Sequence, residues 1–204
     1  VCSSDLSCEE QAGLGASAHL LSFMGTDTVA GIVLAQKYYN SSMCGFSIPA
    51  TEHSIICTFG RENEVEACRN FLKQYPEGLI ACVSDTYNIY NCCENIWGGI
   101  LKDEVINRNG KLVIRPDSGD FFKVVPKVLE ILWKQFGGTI NDKGYKVLNP
   151  HIGVIQGDGM EPETIDALYN HIVNLGWSAD NLTVGSGGGL LVKDITRDTQ
   201  KFAI

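Results

Sequence analysis

Five residues that could do chemistry recur along the chain at intervals typical of α/β proteins. They are His53, Asp85, Asp117, Asp158 and Gly187, and they lie 32, 32, 41 and 29 residues apart. Each follows a short apolar run and stands in polar or glycine-rich sequence. A histidine oriented by a carboxylate can act as acid, base or nucleophile, aspartates can bind ribose hydroxyl groups or Mg²⁺, and consecutive glycine amides can hold a phosphate.

The segment 111–120, KLVIRPDSGD, shows how such a position is built. The apolar run suits a buried strand, but Pro116 lacks the N–H that a ladder needs, and Asp-Ser-Gly favours a turn. The strand is therefore expected to end at Arg115, with Asp117 just beyond it. Ligands of α/β proteins bind at the carboxyl ends of parallel strands. Arg115 could hold phosphate and Asp117 could hold hydroxyl groups or metal; the alternative is a mutual ion pair.

Glycines mark two further strand ends. In VGSGGGLL, residues 184–191, Gly187 and Gly188 predict a phosphate-binding nest, with a flexible turn as the alternative. Arg197 could add a charged contact or lie on a solvated surface. In IQGDG, Gly157 and Asp158 suit a ribose or Mg²⁺ site, with an Asx turn before a helix as the alternative.

Two further candidates also have a structural interpretation. Asp27, in GTDTVAG, could only cap a helix, or it could point into a pocket, accept hydrogen bonds from an amide and repel a carboxylate. A lone histidine such as His53 is usually structural. Its neighbour Glu52 and the predicted proximity of Asp85, one strand over, would allow His53 to act as an acid, base or nucleophile, but these residues alone favour the structural interpretation.

The elements that must position these residues alternate between strands and helices. The strands are predicted at AHLLSF (18–23), GFSIPA (45–50), LIACVS (79–84), KLVIR (111–115), HIGVIQ (151–156) and NLTVG (181–185). Helices are predicted at 27–39, 63–75, 85–106 with a break near Gly98-Gly99, 124–136 and 161–176. Such alternation implies parallel strands with crossover helices in one structural unit, 1–204. A closed barrel needs eight strands, so we expect an open sheet or part of a barrel.

Composition excludes several classes of function. A net charge of −8 and a pI near 4.9 argue against nucleic-acid binding. No apolar run reaches the length of a membrane span, and the N-terminal residues resemble no signal peptide. Five cysteines, Cys57, Cys68, Cys82, Cys92 and Cys93, lie in apolar segments without C-x-x-C spacing, which favours buried reduced thiols in a cytoplasmic protein and disfavours zinc.

Read in order, these motifs resemble the nicotinamide phosphoribosyltransferases, a family of type II phosphoribosyltransferases. The resemblance runs from about Gly13 to Asp198, and six collinear strings carry it. They are AGLGASAHLLSFMGTDTVAG, IPATEHS, VSDTYNIYN, IRPDSGD, VIQGDG and GSGGGLL followed by TRD.

The resemblance implies an irregular α/β barrel, of which about six βα units are present. It implies transfer of phosphoribosyl from phosphoribosyl pyrophosphate to nicotinamide with Mg²⁺, assisted by ATP through a phosphohistidine, in a cytoplasmic homodimer. By motif position, Asp27 would bind the nicotinamide amide, and His53 would be phosphorylated with support from Asp85. The residues that would hold ribose, phosphates or metal are Arg115, Asp117, Gly157, Asp158, Gly187, Gly188 and Arg197.

The chain departs from the family pattern at both ends. Family members are longer, and the aromatic residues that stack on nicotinamide should lie outside this chain, which suggests the central part of the barrel domain. A nicotinate-type enzyme is the nearest alternative, although Asp27 would repel a carboxylate substrate. A non-catalytic phosphate-binding fragment is the alternative from another class.

Overall fold

A computed structural model describes residues 8–187 of the 204-residue chain. The contacts divide the described residues into two compact units. One runs up to Ser47 and also takes in Ser186 and Gly187, and the larger one is Ile48–Gly185. The single structural unit 1–204 stays a prediction.

The smaller unit is a pair of helices, α1 (Glu9–His19) and α2 (Val29–Tyr39). Small residues let the two helices approach closely, since a Cβ atom on Gly31 would stand 2.5 Å from the Cβ of Ala16. Thr28, and not Asp27, occupies the N-cap position of α2, and its side chain makes no capping hydrogen bond. After the turn that follows α1, Gly25 forms a parallel bridge with Phe46.

No strand forms at AHLLSF, so this prediction is wrong. His19 is the last residue of α1, and the following residues turn, with the N–H groups of Leu20 and Leu21 bonded to carbonyls of α1. The preceding run is rich in alanine, has no β-branched residue and follows two glutamates that favour a helix N-terminus. The His19 ring stacks on Phe23 at 4.6 Å.

The larger unit is built on a parallel sheet, so the α/β fold class is confirmed. Its strand order is β1-β2-β5-β6, which follows the order along the chain without a switch, as in a (β/α) barrel. The four strands are β1 (Glu77–Val83), β2 (Asn109–Arg115), β5 (Ile152–Gln156) and β6 (Leu182–Val184), all at positions predicted from sequence. Strands β3 (Gly138–Ile140) and β4 (Lys146–Leu148) form a separate antiparallel pair.

The strand predicted at GFSIPA is reduced to isolated bridges. Ala50 pairs with Ala81 of β1 in parallel, and the N–H of Ala81 donates to the carbonyl of Pro49 at 2.9 Å. Pro49 has no N–H of its own, so a regular ladder cannot form through this segment. The bridge nevertheless places the segment against the β1 edge of the sheet.

Most helices lie where the sequence predicts them, but the helix His53–Phe59 was not predicted. The helices of the larger unit are α3 (His53–Phe59), α4 (Glu64–Gln74), α5 (Ile89–Asn91), a π-helix (Cys92–Ile100), α6 (Lys102–Asn107), α7 (Phe121–Phe136) and α8 (Pro162–Asn174). The break was predicted near Gly98-Gly99, but these residues lie inside the π-helix, which ends at Ile100, and α6 begins at Lys102. Within α7, Pro126 cannot donate to the carbonyl of Phe122, which instead lies 3.0 Å from His171 Nε2 on α8.

Apolar side chains of the sheet and helices form one buried cluster. Its largest fully buried members include Trp97, Ile80, Ile114, Leu129 and Ile172. Among the residues that the structure describes, no helix has the length and apolar character that crossing a membrane requires.

Arg108, just before β2, connects the amino ends of β1 and β2 through hydrogen bonds. The residue is 6% exposed, and its three side-chain nitrogens donate to the carbonyl oxygens of Tyr75, Glu77 and Gly78 at 2.8, 2.6 and 2.6 Å. We expect Arg108→Lys to lower the free energy of unfolding by about 2–4 kcal/mol, because one ammonium group cannot satisfy three divergent carbonyls. Urea denaturation at pH 7 measures the change.

Arg69→Lys is the matched control for Arg108→Lys. Arg69 pairs with Glu66 and Glu104 at the surface, so this substitution should cost less than about 1 kcal/mol. Equal losses in the two variants would contradict the role given to Arg108.

Candidate active site

His53 lies at the carboxyl end of β1 because Thr51 anchors its segment there. The N–H of Thr51 donates to the carbonyl of Ala81 at 3.1 Å, and the N–H of Val83 donates to Thr51 Oγ1 at 2.9 Å. Thr51 is buried, and the chain then turns through Glu52 into α3, whose first residue is His53. The imidazole is thus placed at a strand end, as the sequence predicts, and is 40% exposed.

Asp85, directly after β1, holds this imidazole. Its Oδ1 lies 2.9 Å from His53 Nε2, and its Oδ2 accepts from the Asp117 N–H at 2.9 Å and from Ser118 Oγ at 2.6 Å. Burial raises the pKa of Asp85, but the hydrogen bonds from Ser118, Asp117 and His53 outweigh it, so the pKa lies below its usual value. The carboxylate therefore stays ionised at neutral pH and links three strand-end groups.

Buried polar contacts fix the backbone that carries Asp85. The N–H of Ser84 donates to the carbonyl of Arg115 at 3.1 Å, and Ser84 Oγ donates to the carbonyl of Cys82 at 3.0 Å. Trp97 Nε1, in the π-helix, donates in turn to Ser84 Oγ at 3.1 Å. Both Ser84 and Trp97 are buried, so Asp85 projects from a rigid strand end.

Asp117 lies near the same histidine, two residues after Arg115 ends β2. The register pairs Val83 with Arg115, which brings the two strand ends level. Asp117 Oδ2 lies 3.8 Å from His53 Nδ1, and Asp117 Oδ1 lies 4.0 Å from Arg115 Nε. The guanidinium also pairs with Glu52 through two hydrogen bonds of 3.2 and 3.4 Å. The ion pair between Arg115 and Asp117 that the sequence left open is therefore long, and Glu52 is the closer partner.

Gly157 and Asp158 follow β5, one strand beyond β2 in the sheet. Gln156 is buried and its Nε2 donates to the carbonyl of Asp158 at 2.9 Å, which leaves the Asp158 side chain at the surface. Because Ile114 pairs with Val154 in parallel, these residues lie at the same sheet edge as Arg115. Beyond β6, the N–H of Gly185 donates to the carbonyl of Gln156 at 2.9 Å.

The remaining predicted residues belong to the smaller unit or lie outside the described residues. Asp27 precedes α2 and accepts a short hydrogen bond from Ser47 Oγ. Gly187 is the last residue described and is partly exposed. Gly188 and Arg197 lie outside the described residues, so their proposed phosphate contacts stay predictions.

Sequence reasoning missed Ser118 and the pairing of Glu52 with Arg115. Ser118 was assigned only to turn chemistry, although its position directly after Asp117 is a signal that its hydroxyl also lies at the strand end. Thr51, Ser84 and Trp97 carry no such signal, because their roles arise from contacts between distant segments.

Most cysteines of residues 8–187 are buried thiols. Cys68, Cys82, Cys92 and Cys93 are buried and free of disulfides, as predicted, whereas Cys57 is exposed, contrary to the prediction. Contacts with Cys82 and Cys92, together with burial, raise the pKa of the Cys68 thiol, so it stays protonated. Within residues 8–187, no group of three or more His, Cys, Asp or Glu side chains is arranged to hold a metal ion.

Comparison with known proteins decides the family. Residues 4–204 match the sequence profile of the Nicotinate phosphoribosyltransferase (NAPRTase) family. The chain belongs to this family. The match covers every strand-end residue described above, so the cluster around Asp85 belongs to a member of the Nicotinate phosphoribosyltransferase (NAPRTase) family.

Curated relatives within this comparison carry the name nicotinamide phosphoribosyltransferase. The chain is 49% identical over 195 residues to the one from Xanthomonas campestris pv. campestris, with 95% of this chain and 41% of the relative covered. It is 36% identical over 215 residues to the one from Acinetobacter baylyi (95% and 42% covered) and 34% identical over 200 residues to the one from Mycoplasma pneumoniae (92% and 42% covered). The chain thus spans about two fifths of the length of these relatives.

The pKa of Asp85 predicts a pH-dependent stability. Because that pKa is lower in the folded than in the unfolded chain, the ionised carboxylate stabilises the fold above the unfolded pKa of about 3.9, and this contribution is lost as the pH falls through the folded value. We expect Asp85→Asn to lower the free energy of unfolding by about 1–3 kcal/mol at pH 7. The deficit should shrink below about pH 4, as measured by denaturation at several pH values.

Asp142→Asn, at an exposed turn, controls for the loss of one negative charge and should change stability by less than about 0.5 kcal/mol. An Asp85→Asn deficit that persists unchanged to pH 3 would show that the ionised form of Asp85 is not what stabilises the site.

Proposed function

We propose that the protein transfers the phosphoribosyl group of phosphoribosyl pyrophosphate to nicotinamide, giving nicotinamide mononucleotide and pyrophosphate in NAD salvage. The observation that carries this proposal is the cluster of His53, Asp85, Arg115 and Asp117 at adjoining strand ends. The family match and the names of the relatives support the same chemistry. A homodimer and a cytoplasmic location are further parts of the proposal.

In the transfer step, the bond between the anomeric carbon and pyrophosphate breaks and a bond to the pyridine nitrogen forms. The sugar gains positive charge as pyrophosphate leaves, so carboxylates at the rim stabilise it. Asp117 and Asp158 lie at neighbouring strand ends and suit this role or the ribose hydroxyl groups. The Arg115 guanidinium suits the anionic leaving group.

His53 is suited to accept the terminal phosphoryl group of ATP through Nδ1. An ionised carboxylate only accepts hydrogen bonds, so with Asp85 ionised, Nε2 of His53 carries the proton and donates it to Asp85. In the neutral imidazole the lone pair is on Nδ1, which is not bonded to Asp85. Attack by Nδ1 would form the N–P bond while the bond to the leaving ADP oxygen breaks.

Mg²⁺ is part of the proposal, and the Asp117 carboxylate is a suitable ligand for it. In phosphate-transferring sites this ion is usually held by one or two carboxylates together with substrate phosphates and water, so a preformed group of three protein ligands is not required. Asp117, whose side chain is 32% exposed beside Arg115, offers such a carboxylate. The ion would neutralise charge on the leaving pyrophosphate.

The choice between nicotinamide and nicotinate rests on Asp27. A carboxylate can accept hydrogen bonds from the nicotinamide NH₂ and repels a nicotinate carboxylate. The hydrogen bond from Ser47 holds the Asp27 side chain in place. The name of the matched family favours nicotinate as the second candidate, whereas the names of the relatives favour nicotinamide.

The phosphohistidine is tested by incubating the purified protein with ATP and Mg²⁺ and measuring acid-labile phosphate by ³¹P NMR and mass spectrometry. We expect phosphate on His53 alone, and His53→Gln should abolish both the phosphate and the stimulation of nicotinamide mononucleotide formation by ATP. Basal transfer without ATP should persist in this variant, because His53 does not contact the reacting bond in the proposed step.

His151→Gln is the control, since His151 lies at the opposite end of the sheet, before β5. Phosphate that survives in His53→Gln would remove the histidine from the mechanism without removing phosphoribosyl transfer.

Substrate preference is tested with Asp27→Asn. We expect the ratio of kcat/KM for nicotinamide over nicotinate to fall by at least about tenfold, because the repulsion of the nicotinate carboxylate is removed. Steady-state assays with both substrates measure the ratio, and Asp142→Asn serves as the charge-matched control. An unchanged ratio in Asp27→Asn would show that another residue selects the substrate.

A further inference from the structure

Glu52 holds Arg115 through an ion pair that is loose for these groups. The distances are 3.2 Å from Arg115 Nη2 to Glu52 Oε2 and 3.4 Å from Nη1 to Oε1. Charge-assisted bonds between a guanidinium and a carboxylate are usually about 2.7–2.9 Å. The Glu52 side chain is 64% exposed, whereas that of Arg115 is 17% exposed. A pair with one partner in water contributes little to stability.

The Arg115 guanidinium has donor capacity that this pair does not use. Its Nε is buried and has no hydrogen-bond partner in the part of the chain that the structure describes. The nearest acidic oxygen, Asp117 Oδ1, is 4.0 Å away. A buried donor without an acceptor is unfavourable, so a ligand with several anionic oxygens could satisfy Arg115 better than Glu52 does.

Glu52 is placed so that its side chain can move without the backbone. Its backbone is at the N-cap position of α3, between the anchored Thr51 and His53, and its side chain makes no capping hydrogen bond. The exposed carboxylate can therefore turn into water by rotating side-chain bonds.

We propose that Glu52 is an internal anion that occupies Arg115 while the site is empty and that a phosphate-bearing ligand displaces it. This inference rests on the proposed function, which makes Arg115 a phosphate-binding residue. A carboxylate cannot remain between the guanidinium and a phosphate because like charges repel at this distance. Breaking the pair therefore reduces the affinity for phosphate, and Glu52 limits how tightly the product pyrophosphate is held.

The test measures binding of inorganic pyrophosphate to the purified protein by isothermal titration, with and without Mg²⁺. Glu52→Gln keeps the shape of the side chain and removes its charge, so pyrophosphate should bind about 3- to 10-fold more tightly. In an Arg115→Gln background the same substitution should give a much smaller gain. An equal gain in that background would reveal general repulsion rather than displacement and would overturn the proposal.

Glu77→Gln is the matched control. It removes the same charge at the amino end of β1, away from the carboxyl ends of the strands where the candidate site lies. Its affinity for pyrophosphate should stay within about twofold of the parent. Thermal melting establishes that each variant is folded.

Unchanged or weaker binding in Glu52→Gln would overturn the proposal, and weaker binding found only with Mg²⁺ would assign Glu52 to the metal instead. If the parent binds pyrophosphate and Arg115→Gln does not, the proposed function survives even where Glu52→Gln gives no gain. Absence of pyrophosphate binding in the folded parent would overturn the proposed function and this inference together.

Discussion

The geometry of the strand ends depends on one buried carboxylate. Asp85 is 6% exposed and accepts hydrogen bonds from His53, from the Asp117 N–H and from Ser118. An ionised group that has lost its water must recover the lost hydrogen bonds from the protein, and these three donors come from α3 and from the loop after β2. The charge therefore draws three segments together and determines how the histidine faces its neighbours.

Such a charge can organise a site only if its own backbone is rigid. The two residues before Asp85 are each tied to another segment, Val83 to the hydroxyl of Thr51 and Ser84 to the indole of Trp97. The π-helix that carries Trp97 packs tightly on α7, since a Cβ atom on Gly98 would stand 2.4 Å from Gln135 Cγ. π-Helical turns often occur beside functional sites. Here the π-helix contacts the end of β1 through the hydrogen bond from Trp97 to Ser84.

The strand ends could be predicted from sequence because local chemistry marks them. An apolar run stopped by Pro116 needs no tertiary information, and parallel strands bring all such ends to one edge. The run AHLLSF is also apolar, yet its first two residues end helix α1, because the alanine-rich segment before it favours a helix. The close contact of Gly31 with Ala16, which joins α1 to α2, cannot be read from one segment.

The pairing of Glu52 with Arg115 spans 63 residues and depends on register. Ala50 lies opposite Ala81 and Val83 lies opposite Arg115, so Glu52, two residues after Ala50, becomes level with Arg115. Neither register can be read from the sequence, whereas the residue types at each strand end can. The sequence therefore predicts which residues form the candidate site but not which of them contact each other.

The two nitrogens of His53 have unlike surroundings, and this asymmetry argues against a purely structural histidine. Nε2 is 2.9 Å from the nearly buried Asp85, whereas Nδ1 is 3.8 Å from Asp117, which is a third exposed. In a neutral imidazole whose Nε2 donates to the ionised Asp85, Nδ1 carries the lone pair and cannot form a hydrogen bond with the Asp117 carboxylate. A histidine selected only for stability would gain by giving that nitrogen a donor. A reactive histidine needs one nitrogen held and the other open. His53 has this asymmetry, because Nε2 is bonded to Asp85 whereas Nδ1 lies beyond hydrogen-bonding distance of Asp117.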